Sequence, residues 1–260
     1  MDLEIISLGD RPDLIPRVFS PELDGVWPDF MRQDRTAMLY YSEAAFAHYA
    51  DGALAALAGD EVVGRAFAVP FAFGAEGRSE LPDTGWDEVI RWGHEDRMLE
   101  RRPTTMSALE IALLPKARVP GSSRAMLAAL KDCARAKGFA ELYAPVRPNQ
   151  KHQLPRMPMR DYLQQRRPDG LLADSWLRTH LAIGGEIIKI APCSMTIVGT
   201  LAEWTQWTGV TFDRSGEVEL PNALVPVTAS VAHDYAVYVE PNVWVHHDLR
   251  PAPAAPRTAG

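Results

Sequence analysis

A short loop between a predicted strand and a predicted helix carries the clearest chemical signal in the chain. Met106 to Leu114 is largely apolar and predicts a strand, whereas Ser123 to Lys137 has one apolar face and predicts a helix. The first amides of a helix lack partners within it, and its dipole favours an anion there. Such an end can bind a pyrophosphate, although a plain strand-to-helix turn with a serine cap gives the same pattern. Four residues of this loop suit an anion: Arg118, Gly121, Ser122 and Ser123.

A carboxylate in the preceding strand is the second chemical signal. Strict alternation places Glu110 on one face of the strand with Met106, Ala108 and Ala112, opposite Leu109. A carboxylate among apolar residues is costly unless it has a partner. Glu110 is therefore either a candidate general base or one half of an ion pair at a sheet face.

The elements that must position these residues alternate between strands and helices in the middle of the chain. The strand at 106–114, the helix at 123–137 and a strand at 139–146 form a βαβ-like unit. A strand at 3–8, proline-broken helical segments over 13–51 and a hairpin over 53–73 precede it. A proline-rich connection, a helix at 174–183 and a cluster of strands from 186 to 244 follow. This order predicts a mixed α/β class, without an obvious domain boundary.

Composition excludes several other classes of protein. The 260 residues are 47% apolar, which is enough for a large core and too much for a disordered chain. A net charge of -7 disfavours a nucleic-acid partner, and no apolar run reaches the ~18 residues of a membrane helix. The N-terminus lacks a signal-peptide pattern, and two cysteines form no disulfide framework. We expect a cytoplasmic protein without a metal, in which the Pro- and Ala-rich residues 250–260 are a disordered tail.

The loop resembles the acyl-coenzyme A loop of the GNAT superfamily of N-acetyltransferases. That signature is Arg or Gln, two residues, Gly, one residue, then Gly or Ala, after a strand that ends in an apolar residue, any residue and Pro. Leu113-Leu114-Pro115 matches the strand end, and Arg118, Gly121 and Ser123 fall at the signature positions. Ser123 and the preceding Pro120 depart from the usual pattern. The order of elements matches as well, over about residues 1–190.

The resemblance implies a GNAT fold, in which a mixed central sheet splays at the acyl-CoA site. It implies one domain over 1–249, with a core of about 1–190, an extension over 191–249 with extra strands, and acetyl-CoA or another acyl-CoA as cofactor. Pantetheine would bind backbone near Leu113, and Asn149 would lie near the cofactor. The pyrophosphate would lie on the loop residues Arg118, Val119, Gly121, Ser122 and Ser123.

The resemblance also implies catalytic candidates. The family often places a general-base Glu on the strand that carries Glu110. His180 takes the position of a family tyrosine that acts as acid, and Gly185 stands where a Phe is usual. His180 could act as acid or base, or be a structural histidine at an interface. Tyr162 is the reserve candidate for the acid. Tyr162 and Arg160, which lies in the basic, proline-rich connection, are candidates for contact with the acceptor.

The expected activity is transfer of an acetyl or small acyl group to an amine of a small molecule, by direct attack on the thioester. The C-terminal third resembles long bacterial GNAT-like proteins of secondary metabolism. Four alternatives stay open: a non-catalytic acyl-CoA sensor, O- or S-acyl transfer to a carrier protein, decarboxylation, and transfer from aminoacyl-tRNA. Neither the acceptor nor the oligomeric state is indicated by the sequence.

Overall fold

The computed structural model describes residues 3–251 and contains one nine-stranded mixed sheet. The sheet order is β1-β2-β3-β4-β5-β9-β8-β7, and β6 pairs with the other edge of β9. The strands are β1 (Glu4–Ser7), β2 (Leu54–Ala58), β3 (Glu61–Phe71), β4 (Thr105–Leu113), β5 (Glu141–Val146), β6 (Gly185–Gly199), β7 (Gly216–Val218), β8 (Val227–Ser230) and β9 (Tyr235–Asp248).

Nine α-helices flank the sheet in the described part of the chain. The broken helical stretch predicted over 13–51 contains four one-turn helices, and the helices predicted at 123–137 and 174–183 begin and end within about one residue of those bounds. The helices are α1 (Ile15–Val18), α2 (Pro21–Asp24), α3 (Met38–Tyr41), α4 (Glu43–Phe46), α5 (Gly85–Met98), α6 (Ser122–Ala136), α7 (Met159–Tyr162), α8 (Ser175–Ala182) and α9 (Leu201–Thr208).

The sheet separates two apolar cores, and we call its two sides the first and second faces. Helices α1 to α5 and α9 pack on the first face, where Phe46, Phe67 and Trp204 are fully buried. Helices α6, α7 and α8 pack on the second face around Met126, Leu130 and Leu177. The sheet therefore positions side chains from two separate helical layers.

The central strands β4 and β5 separate soon after they meet. They are parallel but pair only at Met106 with Leu142 and at Ser107 with Tyr143. Beyond these pairs the strands diverge, so the sheet is open toward the α6 end of β4. The splayed mixed sheet that the resemblance implied is confirmed.

A β-bulge in β4 overturns the strict alternation predicted for this strand. Phe67 of β3 lies opposite Glu110, whereas its neighbour Ala68 lies opposite Ala108, so Leu109 is the extra residue. Glu110 consequently shares the first face with Phe67, and Ala108 lies on the second. Local alternation could not reveal this switch, because the bulge depends on the register with β3.

The C-terminal strands continue the same sheet, because β9 pairs with β5 over Val243 to Asp248. The first part of the strand cluster predicted over 186–244 is a single irregular strand, β6. Residues 252–260 of the predicted tail lie outside the described residues, and the single-domain organisation stays a prediction. Within residues 3–251, no helix combines the length and apolar character needed to cross a membrane.

Candidate active site

A cavity of about 880 Å³ opens where β4 and β5 diverge. Its wall includes Glu110 from the first face and His180 from the second, so it connects the two sides of the sheet. Six residues predicted for the site line it together: Glu110, Leu113, Arg118, Ser123, Asn149 and His180.

The loop before α6 has the geometry that an anion requires. Gly121 caps the helix with a φ of +92°, and a Cβ built there would meet no atom within 4 Å. In this part of the described chain, the amides of Ser123 and Arg124 donate to no backbone acceptor, as expected for a first helical turn. Space, free amides and a nearby Arg118 therefore fit a pyrophosphate at this point.

The strand end beside this loop is partly occupied by protein contacts. The Nε of Arg118 donates to the carbonyl of Leu113 at 2.9 Å, and the hydroxyl of Ser122 donates to the carbonyl of Val119 at 2.8 Å. Asn149 is exposed and also lines the cavity. A pantetheine chain at the Leu113 carbonyl would share this acceptor with Arg118, since a carbonyl oxygen has two lone pairs.

Glu110 is held by three donors in a buried ion-paired cluster. Its Oε1 accepts hydrogen bonds from Trp27 Nε1 and Arg65 Nε, both at 2.8 Å, and its Oε2 accepts from the hydroxyl of Tyr41 at 2.9 Å. The Glu110 and Arg65 side chains are 5% and 4% exposed. Because a carboxylate has about four acceptor sites, these three hydrogen bonds leave about one site for a further donor.

The cluster also ties the N-terminal helices to the sheet. Arg65 Nη1 donates to Asp24 at 2.7 Å and to the carbonyl of Val18 at 2.8 Å. Burial disfavours the charged guanidinium, but the carboxylates of Glu110 and Asp24 outweigh it and raise the pKa of Arg65. The ionised pair is thus part of the wall between the first-face core and the cavity.

His180 forms a second buried polar cluster of opposite character. Its Nδ1 lies 2.9 Å from Nε2 of His247 on β9, and the two residues are 2% and 0% exposed. Burial lowers the pKa of His180 well below its usual range, and His247 and the Lys131 ammonium lower it further. Burial similarly lowers the pKa of His247 to about 4. Both imidazoles are therefore neutral at pH 7.

The reserve candidates Tyr162 and Arg160 do not line the cavity. The hydroxyl of Tyr162 donates to Asp174 at 2.7 Å, and this carboxylate also caps α8. Burial, together with Asp174, raises the pKa of Tyr162. Arg160 is exposed elsewhere on α7. Neither side chain is therefore part of the cavity wall.

Other basic residues of the connection are also engaged by the fold. Lys151 is fully buried, and its ammonium donates to the carbonyls of Leu154 and Leu224 at 2.7 and 2.8 Å. Arg156 pairs with Glu217 and Glu219. The connection therefore fastens the C-terminal strands to the second face.

Two polar groups on the cavity were missed by sequence reasoning, since their partners are distant in the chain. Glu240 is fully buried and accepts from Arg147 at 2.9 Å, Tyr238 at 2.7 Å and Asn242 at 3.0 Å. Three members of this group line the cavity: Arg147, Glu240 and Asn242.

The second missed group is a pair of facing aspartates, of which Asp34 lines the cavity. Asp34 accepts from the Thr36 amide at 2.7 Å and Asp87 from the Thr196 amide at 3.1 Å, while the second oxygen of each carboxyl has no separate partner among the described residues. Burial and the neighbouring Asp34 raise the pKa of Asp87 to about 9. Burial also raises the pKa of Asp34, so the folded pair favours a protonated Asp87 at pH 7.

No arrangement of three or more His, Cys, Asp or Glu residues suited to a metal ion is found among residues 3–251. The adjacent His246 and His247 point to opposite faces, since the His246 ring packs on Tyr143 and His247 contacts His180. This arrangement follows from the alternation of a strand.

Comparison with known proteins gives one close relative in sequence. No family model matches the chain. The chain is 32% identical to the arginine N-acetyltransferase avaD of Aspergillus versicolor, over 92% of this chain and 91% of that protein. Among solved structures, it resembles the loading GNATL domain of CurA from Lyngbya majuscula, with a TM-score of 0.56 and 17% identity over 95% of this chain and 97% of that one. The second likeness concerns the fold alone.

Proposed function

The chain belongs to the GNAT superfamily of N-acetyltransferases, and we propose that its acceptor is arginine or a closely related guanidino amine. Membership makes it an acyl-CoA-dependent enzyme that moves an acyl group to an amine. The single observation that carries the acceptor proposal is the 32% identity to an arginine N-acetyltransferase over almost the whole of both chains.

Coenzyme A, when bound, supplies the acyl group as a thioester. The free amides at the start of α6, with Arg118 and Ser123, would hold its pyrophosphate. The gap between β4 and β5 would take the pantetheine arm, beside Leu113 and Asn149.

We assign the proton transfer to His180 rather than to Glu110. An attacking amine must be neutral, so a nearby group has to accept its proton. His180 is neutral at pH 7, lines the cavity and uses only Nδ1 in a hydrogen bond, which leaves Nε2 for the amine. Glu110 already accepts three hydrogen bonds, so its proposed role is to hold the cavity wall as an ionised partner of Arg65.

The chemistry of the cavity supports a guanidinium-bearing acceptor. Trp27, Tyr41 and Trp86 line it, and planar guanidinium groups stack well on aromatic faces. Asp24 lines the same region with a side chain that is 33% exposed, and only one of its oxygens is bonded to Arg65. A cationic acceptor would therefore meet both an aromatic surface and an accessible carboxylate.

The acceptor proposal is tested with the purified chain, acetyl-CoA and a panel of amines. We expect thiol release with arginine and acetylated arginine in the mass spectrum, and at least about tenfold lower kcat/KM with lysine, which lacks the planar fork. A matched reaction with malonyl-CoA and no amine tests decarboxylation. Thiol release that is unaffected by arginine, or loss of CO₂ as the main reaction, would refute the proposed acceptor.

The proposed cofactor site is tested by two matched glycines at opposite ends of α6. Gly121 and Gly138 both have a positive φ, of +92° and +85°, and both have open space around a Cβ. Gly121→Asp adds charge and bulk beside the free amides, so we expect at least about tenfold weaker acetyl-CoA binding by calorimetry. Gly138→Asp carries the same backbone strain and charge away from the loop, and should leave that affinity unchanged. Equal losses in both variants would argue against the site.

A further inference from the structure

A histidine that is distant in sequence completes the environment of His180. His247 lies on β9, 67 residues away, and its Nε2 is the partner of the His180 Nδ1 at 2.9 Å. The remaining ring nitrogen of His247, Nδ1, is buried and has no partner among the described residues. The strongest polar contact that His247 makes is therefore the one to His180.

This contact restricts the tautomer in which His180 can take up a proton. A protonated imidazole carries hydrogen on both ring nitrogens, so its Nδ1–H must donate to the lone pair of His247 Nε2. If His247 instead donates from Nε2, then His180 carries its hydrogen on Nε2 and offers the cavity a donor. Only the arrangement in which His180 donates leaves Nε2 as an acceptor for the amine.

The surroundings of the pair keep it neutral and fixed in place. Besides the two rings themselves, the charged or titratable neighbours that lower the pKa values of the pair are Lys131 on α6 and His246 on β9. Lys131 is itself anchored, since its ammonium donates to the carbonyl of Ile183 at 2.6 Å. Without a carboxylate against either ring, neither histidine is held as an imidazolium.

A glycine at the start of β6 makes room for the pair. A Cβ on Gly185 would lie 2.8 Å from His247 Cε1 and 2.7 Å from the carbonyl oxygen of His180. Even an alanine at this position would push on both histidines. The resembling family usually has a Phe at the position of Gly185. The His247 ring occupies the space that such a side chain would need, which explains the glycine.

We propose that His247 is a positioning residue, which accepts the Nδ1–H of His180 and thereby presents the unprotonated Nε2 of His180 to the acceptor amine. The inference rests on the proposed function, in which His180 receives the proton of that amine. During transfer, the amine nitrogen forms a bond to the acyl carbon as the thiolate leaves, and its proton passes to His180 Nε2. The resulting imidazolium keeps its hydrogen bond to His247.

The test uses two substitutions at His247 and one control on the same strand. His247→Gln places an amide oxygen within reach of His180 Nδ1, whereas His247→Leu removes the acceptor with a similar volume. His246→Gln changes the adjacent histidine, whose ring lies on the first face against Tyr143. Circular dichroism and thermal melting establish that each variant is folded before it is assayed.

For His247→Leu we expect kcat to fall at least about tenfold, as part of the 10²–10⁴-fold that general base catalysis supplies, with the KM for acetyl-CoA unchanged. His247→Gln should restore most of kcat, and His246→Gln should keep it. If His247→Leu and His247→Gln lower kcat equally, or if only the KM changes, the proposed positioning role of His247 is wrong. If His247→Leu does not fold, the Gln variant alone decides, because kcat near the wild-type value supports the role and a loss of tenfold or more contradicts it.

A spectroscopic readout separates this inference from the proposed function. In ¹⁵N NMR of the free full-length protein at pH 7, His180 should carry its hydrogen on Nδ1, and His247→Leu should shift the hydrogen to Nε2. A wild-type spectrum with hydrogen on His180 Nε2 would overturn the inference. Since no acceptor is present, a protein that fails to acetylate arginine would refute the proposed function and leave this measurement valid.

Discussion

Two buried polar clusters face the same cavity from opposite sides of the sheet, and they differ in the charge state of their buried groups. On the first face, Glu110 and Arg65 are both ionised and compensate each other, with further hydrogen bonds from Trp27 and Tyr41. On the second face, His180 and its partner histidine are both uncharged.

The difference shows which cluster can exchange a proton. Charge compensation stabilises a buried carboxylate, but its partners occupy most of its acceptor sites. Such a carboxylate stabilises the fold and has few acceptor sites left for a substrate. Burial without compensation instead lowers the pKa of an imidazole, which leaves a lone pair available at neutral pH. The first cluster thus suits a wall of the cavity, and the second suits catalysis.

The largest expected effect comes from removing the imidazole of the second cluster. His180→Gln should lower kcat by about 10²-fold or more, because general base catalysis contributes about 10²–10⁴-fold. Steady-state kinetics with arginine, and calorimetry with acetyl-CoA, separate turnover from cofactor affinity, which should stay unchanged. His152→Gln alters another histidine on the cavity and serves as control. A loss below threefold in His180→Gln would contradict the assignment.

Removing the charge of the first cluster should affect stability more than turnover. Glu110→Gln leaves the Arg65 guanidinium buried with Asp24 as its remaining carboxylate, and breaking such a pair costs about 3–5 kcal/mol. Urea unfolding measures this loss. Adding Arg65→Met to Glu110→Gln should recover much of it, since no uncompensated charge remains. If the double variant loses as much unfolding free energy as the sum of the losses in the two single variants, the broken ion pair is not the cause of the instability.

The facing aspartates extend the comparison, because they too are partly neutralised by burial. The pKa of Asp87 is raised to about 9 by burial and by Asp34, so the folded state binds a proton that the unfolded state releases. That contribution is complete below the unfolded-state pKa near 4 and is lost as the pH rises through the folded-state value, with a slope of up to about 1.4 kcal/mol per pH unit.

Asp87→Asn mimics the protonated carboxyl and should flatten the decline of unfolding free energy with pH between about 5 and 9. Denaturant unfolding at pH 6, 7 and 8 checks this expectation. Asp83→Asn, an exposed residue four positions away that pairs with Lys189, should retain the slope. An unchanged slope in Asp87→Asn would show that Asp87 is not protonated in the folded state.

The smallest effect distinguishes two neighbouring tyrosines. Tyr41 donates to the ionised Glu110 at 2.9 Å, and Tyr40 donates to the carbonyl of Ala68 at 3.0 Å. Hydrogen bonds to charged groups contribute about 1.5–3 kcal/mol, and neutral ones about 0.5–1.5. Tyr41→Phe should therefore lower the unfolding free energy more than Tyr40→Phe does. The reverse order would indicate that Glu110 is not ionised.

The sequence predicted the parts of the molecule that depend on neighbouring residues. The loop from Arg118 to Ser123 and the start of α6 could be identified because a helix end and its glycine cap are local features. The bulge at Leu109 could not be predicted, since it exists only in the pairing with β3. It moved Glu110 to the first face and changed its expected role.

The partners of the catalytic candidates were beyond sequence reasoning for the same reason. Trp27 and Arg65 reach Glu110 from 83 and 45 residues away. Nothing in the residues next to His247 indicates a contact with His180, which lies 67 residues away. Tyr162 was a plausible acid by type, but its hydroxyl is bonded to Asp174, which caps α8.

The most direct test of the account compares turnover of His180→Gln with that of Glu110→Gln in one assay, at saturating acetyl-CoA and arginine and at a temperature where both variants are folded. If the neutral imidazole accepts the amine proton and the carboxylate is structural, kcat of His180→Gln should be at least about tenfold below that of Glu110→Gln. An equal kcat, or a lower value for Glu110→Gln, would contradict the division of roles between the two clusters.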